Sequence, residues 1–216
     1  MKSFIAFPFE IETPNEVAMA TNASGKIVAH YELFKKIKHL NGAIVKCGVN
    51  SEQELSRFAM AKAMAGKKHM EVMVVFEKDF SFFEEETTAE GEIVVKIKKN
   101  GIETASTATR KRLVEMSKNL QINFVCGDAG NEIPNYLIDN PELKISLLSI
   151  DFDDYEATTN ALMFLYPRLV QGGILIIENY YKEMADKKAV DDYFGWSPPV
   201  INSFLVNKGP HYLIRP

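Results

Sequence analysis

The stretch 144–181, KISLLSIDFDDYEATTNALMFLYPRLVQGGILIIENYY, constrains the fold more than any other part of the chain. Ile145, Leu147, Leu148 and Ile150 form an apolar run of strand length, too brief for an independent helix. Asp151, Asp153 and Asp154 end it. Leu162, Met163, Leu165, Tyr166 and Leu169 then recur at helical spacing, which predicts an amphipathic helix over 157–170. Gly172 and Gly173 are expected to stop that helix. Ile174, Leu175, Ile176 and Ile177 make a second apolar strand, closing in Glu178 and Asn179.

A strand–helix–strand unit of this length crosses over right-handedly, so its two strands are parallel. Their carboxyl ends then share one edge of the sheet, about 4.8 Å apart if the strands are neighbours. Open α/β sheets bind ligands at that edge. Asp151, Glu178 and Asn179 are expected to converge there. Three oxygen-bearing side chains at one point suit a hard divalent cation such as Mg2+. The competing reading is that acids after buried strands only solubilise loops and cap helices.

The rest of the chain narrows the class. Its 216 residues suit a single domain over 1–216, with an N-terminal segment and helix over 1–40. A net charge of −4 leaves no electrostatic footprint for nucleic acid or an anionic membrane. Cys47 and Cys126 each follow a strand-like run and offer no disulfide framework, which points to a reducing, cytoplasmic setting. No stretch reaches membrane-spanning length.

Residues 1–24, broken by Pro8 and Pro14, read as irregular, with Phe4, Phe7 and Phe9 as a candidate edge segment. A helix is predicted over 26–40, and it places His30 and His39 away from the expected site. Strand 43–47 (AIVKC) leads through Gly48, Val49 and Asn50 into a helix over 51–65, where Ser51 and Glu54 fit a capping box. Strand, turn and helix start form the usual grip on a nucleotide-like cofactor, so Cys47, Gly48, Val49 and Asn50 are candidate contacts.

Strand 71–76 ends in Glu77, a candidate for the ribose hydroxyls, with Asp79 and a solvated loop charge as competing readings. Phe82 and Phe83 either line a substrate mouth or pack. A β-hairpin insertion is expected over 92–106 and a helix over 109–120. Strand 122–126 precedes Gly127, Asp128 and Ala129, with turn-forming Asp as the alternative for Asp128. A helix over 186–194 and strands over 200–206 and 211–214 complete the chain.

Asp151-Phe-Asp153-Asp154-Tyr155-Glu-Ala-Thr158, Tyr166-Pro-Arg-Leu169, Gly172-Gly173 and Glu178-Asn179-Tyr180 together resemble the macrocin-type sugar O-methyltransferases, within the class I S-adenosylmethionine-dependent enzymes. The resemblance is specific over about forty residues. It implies an α/β, Rossmann-like class I methyltransferase fold, with a mostly parallel seven-stranded sheet, helices on both faces and a C-terminal antiparallel hairpin. It further implies S-adenosylmethionine as cofactor, Mg2+ at Asp151, Glu178 and Asn179, and a sugar or glycoside hydroxyl as substrate. Asp151 and Asp153 become the catalytic candidates, Asp153 as general base. Asp128, Ala129 and Asp151 join the cofactor contacts. A homodimer is expected, with the 92–106 hairpin as a candidate arm.

The sequence departs from that family in three places. Lys46 stands where an acid is usual, Glu52 and Gln53 stand where small residues are usual, and Glu178-Asn179 replaces two aspartates. These departures motivate a second reading, a non-catalytic or differently liganded protein on the same scaffold. A nicotinamide dehydrogenase is disfavoured by the missing glycine-rich fingerprint.

Overall fold

The computed structural model describes residues 14–65, 73–78, 122–180, 185–196, 199–204 and 210–216. Helices α1 (Pro14–Lys36), α2 (Glu52–Met64), α3 (Ala129–Asp139), α4 (Tyr155–Leu165) and α5 (Ala185–Phe194) are described. So are strands β1 (Ala43–Cys47), β2 (Met73–Glu77), β3 (Ile122–Cys126), β4 (Ile145–Ile150), β5 (Leu169–Ile177), β6 (Asn202–Ser203) and β7 (His211–Ile214). The strands form one seven-stranded sheet in the order β3-β2-β1-β4-β5-β7-β6. Pairings from β3 through β5 are parallel, whereas β7 runs antiparallel to both β5 and β6. Strand order reverses between β1 and β4, the topological switch point where such sheets open a crevice.

Alternation along the strands fills two apolar layers. Ile44, Met73, Val75, Leu147, Ile174 and Ile176 pack beneath α1 and α2, against Leu33, Phe34, Leu55 and Phe58. Val45, Val74, Phe76, Leu148, Ile150, Leu175 and Ile177 face the other layer, against Ile133 of α3, Leu162 and Leu165 of α4, and Val190 of α5.

Four expectations change. Helix α1 begins at Pro14 rather than near residue 26, because proline at the first helical turn forfeits no intrahelical bond. Helix α4 covers Tyr155–Leu165 instead of 157–170. Pro167 turns the chain through a short 3-10 helix, Tyr166–Arg168, and Leu169 is already the first residue of β5. Gly172 and Gly173 therefore do not stop a helix. They lie within β5, where the Gly172 N–H donates to the Arg215 carbonyl at 2.9 Å and the Arg215 N–H to that of Gly173 at 2.8 Å. Finally, β6 is confined to Asn202–Ser203, shorter than 200–206. The expectations at Phe4, Phe7, Phe9, Asp79, Phe82 and Phe83, the 92–106 hairpin and the 109–120 helix lie outside the described residues.

Candidate active site

The carboxyl ends of the parallel strands stop level with one another. Cys47 is paired with both Phe76 and Ile150, Ile150 with Ile177, and Glu77 with Cys126. Each following residue is then tied to the neighbouring strand. Gly48 donates its N–H to the Phe76 carbonyl at 2.9 Å, Asp151 to Cys47 at 2.8 Å, Glu178 to Ile150 at 3.1 Å and Gly127 to Glu77 at 2.9 Å. Gly48 has φ +82°, and a Cβ placed there would lie 2.3 Å from the Asp151 carbonyl oxygen. Only glycine tolerates both demands, so the β1 loop passes directly over the end of β4.

As expected from the sequence, Asp151 and Asn179 meet across β4 and β5. The Asn179 amide donates to Asp151 Oδ1 at 2.5 Å, and the Asn50 amide donates to Oδ2 at 2.9 Å. Glu178 lies beside them but hydrogen-bonds to neither. The strand pleat turns its side chain under α1, where His30 Nε2 donates to Oε1 at 2.7 Å and the Lys26 ammonium lies 3.4 Å from Oε2. His30 is therefore part of the site, contrary to the sequence expectation. It forms an i, i+3, i+4, i+7 stripe with Leu33, Phe34 and Ile37, all buried, and that spacing was the legible signal.

Lys46 is fully buried on the same face. Its ammonium lies 2.8 Å from Glu54 Oε1 and 3.9 Å from Asp151 Oδ2, over the Phe58 ring at 5.4 Å. The sequence reading placed Glu54 in a capping box, and Ser51 Oγ does accept the Glu54 N–H at 3.2 Å. The Glu54 carboxylate reaches back only to the Asn50 N–H, also at 3.2 Å, and spends its other oxygen on Lys46. Lys26, His30 and Glu54 were not recognised as site residues from sequence.

Burial and the nearby carboxylates Glu178 and Glu54 push Asp151 up to about 8, against the opposing pull of Lys46 and Lys26. Burial also raises Glu178, but His30, Lys46 and Lys26 outweigh it and hold that carboxyl well below the usual range. For Lys46, burial is overcome by Glu54, Asp151 and Glu178, which keep the ammonium charged. Burial pushes the Cys47 thiol up, and the side chain packs in the layer of α3 to α5, so Cys47 offers the site its backbone alone.

Glu77 ends β2 beside the β1 loop and accepts the Val49 N–H at 2.6 Å and the Lys78 N–H at 2.7 Å. Asp128 is the N-cap of α3 and accepts the Gly130 N–H at 2.9 Å, while Ala129 is buried as the first residue of that helix. Asp153 stands in the loop between β4 and α4 with φ 54°, the one positive-φ residue other than glycine among those described. Asp186, buried on α5, accepts the Asp153 N–H at 3.2 Å and the Thr158 hydroxyl. Asp186 was not singled out from the sequence. No local pattern announces a contact between residues 153 and 186.

The backbone turns after β1 and β3 and the Glu77 carboxylate at the end of β2 fit an adenosine-bearing cofactor. The donor set does not fit a divalent metal. Both Asp151 oxygens already accept amide N–H groups, Glu178 Oε1 accepts from His30 while its Oε2 is left to the Lys26 ammonium at 3.4 Å without a hydrogen bond, and a second ammonium sits beside Asp151. Among the described residues, no three His, Cys, Asp or Glu side chains are grouped to hold a metal ion.

Residues 119–196 match the sequence profile of the family described as macrocin-O-methyltransferase (TylF). Over 83 residues, 37% of this chain, it is 36% identical to an 8-demethyl-8-(2,3-dimethoxy-alpha-L-rhamnosyl)-tetracenomycin-C 4'-O-methyltransferase of Streptomyces olivaceus. It is 34% identical over 73 residues, 34% of this chain, to a demethyldecarbamoylnovobiocin O-methyltransferase of Streptomyces niveus. These matches span only 30% and 26% of the two relatives. Among solved structures, CalS11, a TDP-rhamnose 3'-O-methyltransferase of calicheamicin biosynthesis, superposes with TM-score 0.71 at 17% identity, covering 95% of this chain and 96% of that one. The O-methyltransferase NovP superposes with TM-score 0.62 at 18% identity, covering 88% and 79%. No described helix is long and apolar enough to cross a membrane. The sheet thus has the fold of these solved methyltransferase structures, and residues 119–196 within it are similar to the macrocin-O-methyltransferase (TylF) family.

Proposed function

We propose that the protein is an S-adenosylmethionine-dependent O-methyltransferase whose acceptor is a hydroxyl of a sugar, as a deoxysugar, a nucleotide sugar or a glycosylated natural product. The observation that carries this reading is the level alignment of Gly48, Glu77, Gly127 and Asp151 along one sheet edge at the switch point. Both sequence relatives are named O-methyltransferases, and the rhamnosyl compound in the name of the Streptomyces olivaceus relative supports the acceptor class.

In this reading the backbone of Cys47 to Asn50 lines the cofactor's amino-acid end, Glu77 accepts from the ribose hydroxyls, and Asp128 and Ala129 flank the adenine. When bound, S-adenosylmethionine supplies the methyl group. The protein's main contribution is alignment, which for well-placed reactants is worth on the order of 7–11 kcal/mol. Asp153, projecting from the loop after β4, is the candidate to accept the hydroxyl proton, a contribution of about 10²–10⁴-fold. Asp151 organises Asn50 and Asn179 around the crevice. Assistance by Mg2+, implied by the resemblance, would require Asp151 and Glu178 to exchange their present partners, and the geometry favours a reading without it.

Lys46 does not disqualify the cofactor. Its charge is met at 2.8 Å by Glu54, so the repulsion it would exert on a sulfonium is largely offset within the fold. Calorimetric titration of S-adenosylmethionine and S-adenosylhomocysteine tests the proposal. Both are expected to bind, and Glu77→Ala to weaken both by about tenfold or more through loss of charge-assisted hydrogen bonds. Failure of both ligands to bind the intact protein would turn attention to the differently liganded scaffold.

A further inference from the structure

Three carboxylates, Glu54, Asp151 and Glu178, crowd the carboxyl edge of β1, β4 and β5 beneath α1 and α2, and Asp151 and Glu178 are almost wholly sequestered from water. Such a group of acids requires positive charge close by. A metal ion is one source. This chain carries another, because the same pocket holds the ammonium of Lys46, fully buried, and the Lys26 ammonium and His30 ring at its rim.

We propose that Lys46, seconded by Lys26 and His30, is the resident cation of this sheet-edge site, which takes up no divalent metal. The placement of the donors argues for it. Mg2+ demands near-octahedral oxygen ligation at about 2.1 Å, with its lone pairs converging on one point. Here the two Asp151 oxygens accept from Asn50 and Asn179, on separate loops. Glu178 Oε1 accepts from His30 under α1, and its Oε2, which takes no hydrogen bond, lies 3.4 Å from the Lys26 ammonium. Glu54 is spent on Lys46 and the Asn50 N–H. A dication on Asp151 Oδ2 would also stand within about 6 Å of the Lys46 ammonium, given the 3.9 Å separation already present. Glu54 and Lys46 thus form a complementary pair within the site, and the pair leaves Asp151 held by neutral amides.

The inference does not depend on methyl transfer, and its test is read without cofactor. Mn2+ binding to the intact protein is followed by electron paramagnetic resonance, and melting temperature is compared in Mg2+ and in EDTA. No saturable binding at this site is expected, with the same melting temperature in both, whereas a bound metal in hundredfold excess would raise it by several degrees. Lys46→Met, shown by circular dichroism to be folded, is expected to acquire Mn2+ affinity that the parent lacks. One Mn2+ bound by the parent and lost in both Asp151→Asn and Glu178→Gln overturns the proposal, as does a folded Lys46→Met that gains none. Binding by the parent that survives both carboxylate substitutions lies elsewhere and leaves the proposal standing.

Discussion

The Asp186 carboxylate on α5 accepts the backbone N–H of Asp153, at 3.2 Å, and thereby holds the candidate base in its left-handed turn. A non-glycine residue at φ 54° needs such support, although aspartate bears it better than most. Thr158 donates to the same carboxylate, so α4, α5 and the loop after β4 are fastened at one buried point. Asp186→Ala is expected to lower kcat by about 10²-fold through misplacement of Asp153, with KM little changed. A lower melting temperature with unchanged kcat would reduce Asp186 to a purely structural role.

Asp153→Asn separates conformation from chemistry. Asparagine tolerates the left-handed region as well as aspartate does, so the fold and the melting temperature are expected to persist. Turnover should fall by about 10²–10⁴-fold if Asp153 takes the proton. Steady-state kinetics on a sugar acceptor with its hydroxyl free measures this, and full activity would move the base elsewhere.

How far the sequence revealed these relationships depended on their range. The 144–181 unit predicted its own parallel strands, because runs such as Ile174 to Ile177 admit little else, and parallel pairing then brought Asp151 and the Glu178-Asn179 pair to one edge. The direction of Glu178 was fixed by pleat parity with Ile174 and Ile176, which face α1, a relation that required knowing which layer α1 covers. Lys46 shares that parity with Ile44, so its burial followed from β1 being central, whereas its partner Glu54 was hidden behind an adequate local explanation as a capping residue. The α4 boundary was misplaced because Leu169 suits a helical stripe and a strand start equally, and Pro167 decided between them.

Lys46 and Glu54 invite a double-mutant cycle. Lys46→Met alone leaves Glu54 without its buried partner and is expected to cost about 3–5 kcal/mol. Combining it with Glu54→Leu removes both charges and should recover much of that loss, since apolar replacements of buried ion pairs are often near neutral. Urea unfolding of the four proteins gives the coupling energy. Additive losses would mean that Asp151, rather than Glu54, is the partner that matters.

Gly48→Ala tests the crossing of the β1 loop over β4. The new methyl would meet the Asp151 carbonyl at 2.3 Å, and the φ of +82° adds about 1–2 kcal/mol of backbone strain. The backbone must shift, so a clear drop in melting temperature and loss of S-adenosylhomocysteine binding are expected together. Retention of both would show that the loop has freedom the hydrogen bond from Gly48 to Phe76 argues against.

The buried carboxylates give stability two opposite dependences on pH. Glu178 is held below its unfolded value of 4.5, because His30, Lys46 and Lys26 outweigh the upward push of burial. The unfolded chain therefore binds a proton at Glu178 before the folded one does, and this contribution, present above pH 4.5, is lost as the pH falls through the folded value. Asp151 is pushed the other way by burial, from 3.8 to about 8, so across that interval the folded chain carries a proton that the unfolded chain has released. Stability from this group declines as pH rises from about 4 toward about 8. Melting temperature followed from acid to mildly alkaline pH should accordingly peak on the acid side of neutrality. Glu178→Gln should flatten the acid limb, and Asp151→Asn should flatten the decline toward pH 8 while leaving the acid limb in place. If Asp151→Asn leaves the profile unaltered above pH 5, Lys46 and the two amides hold Asp151 ionised throughout, and the carboxylate enters the crevice as a fixed negative charge.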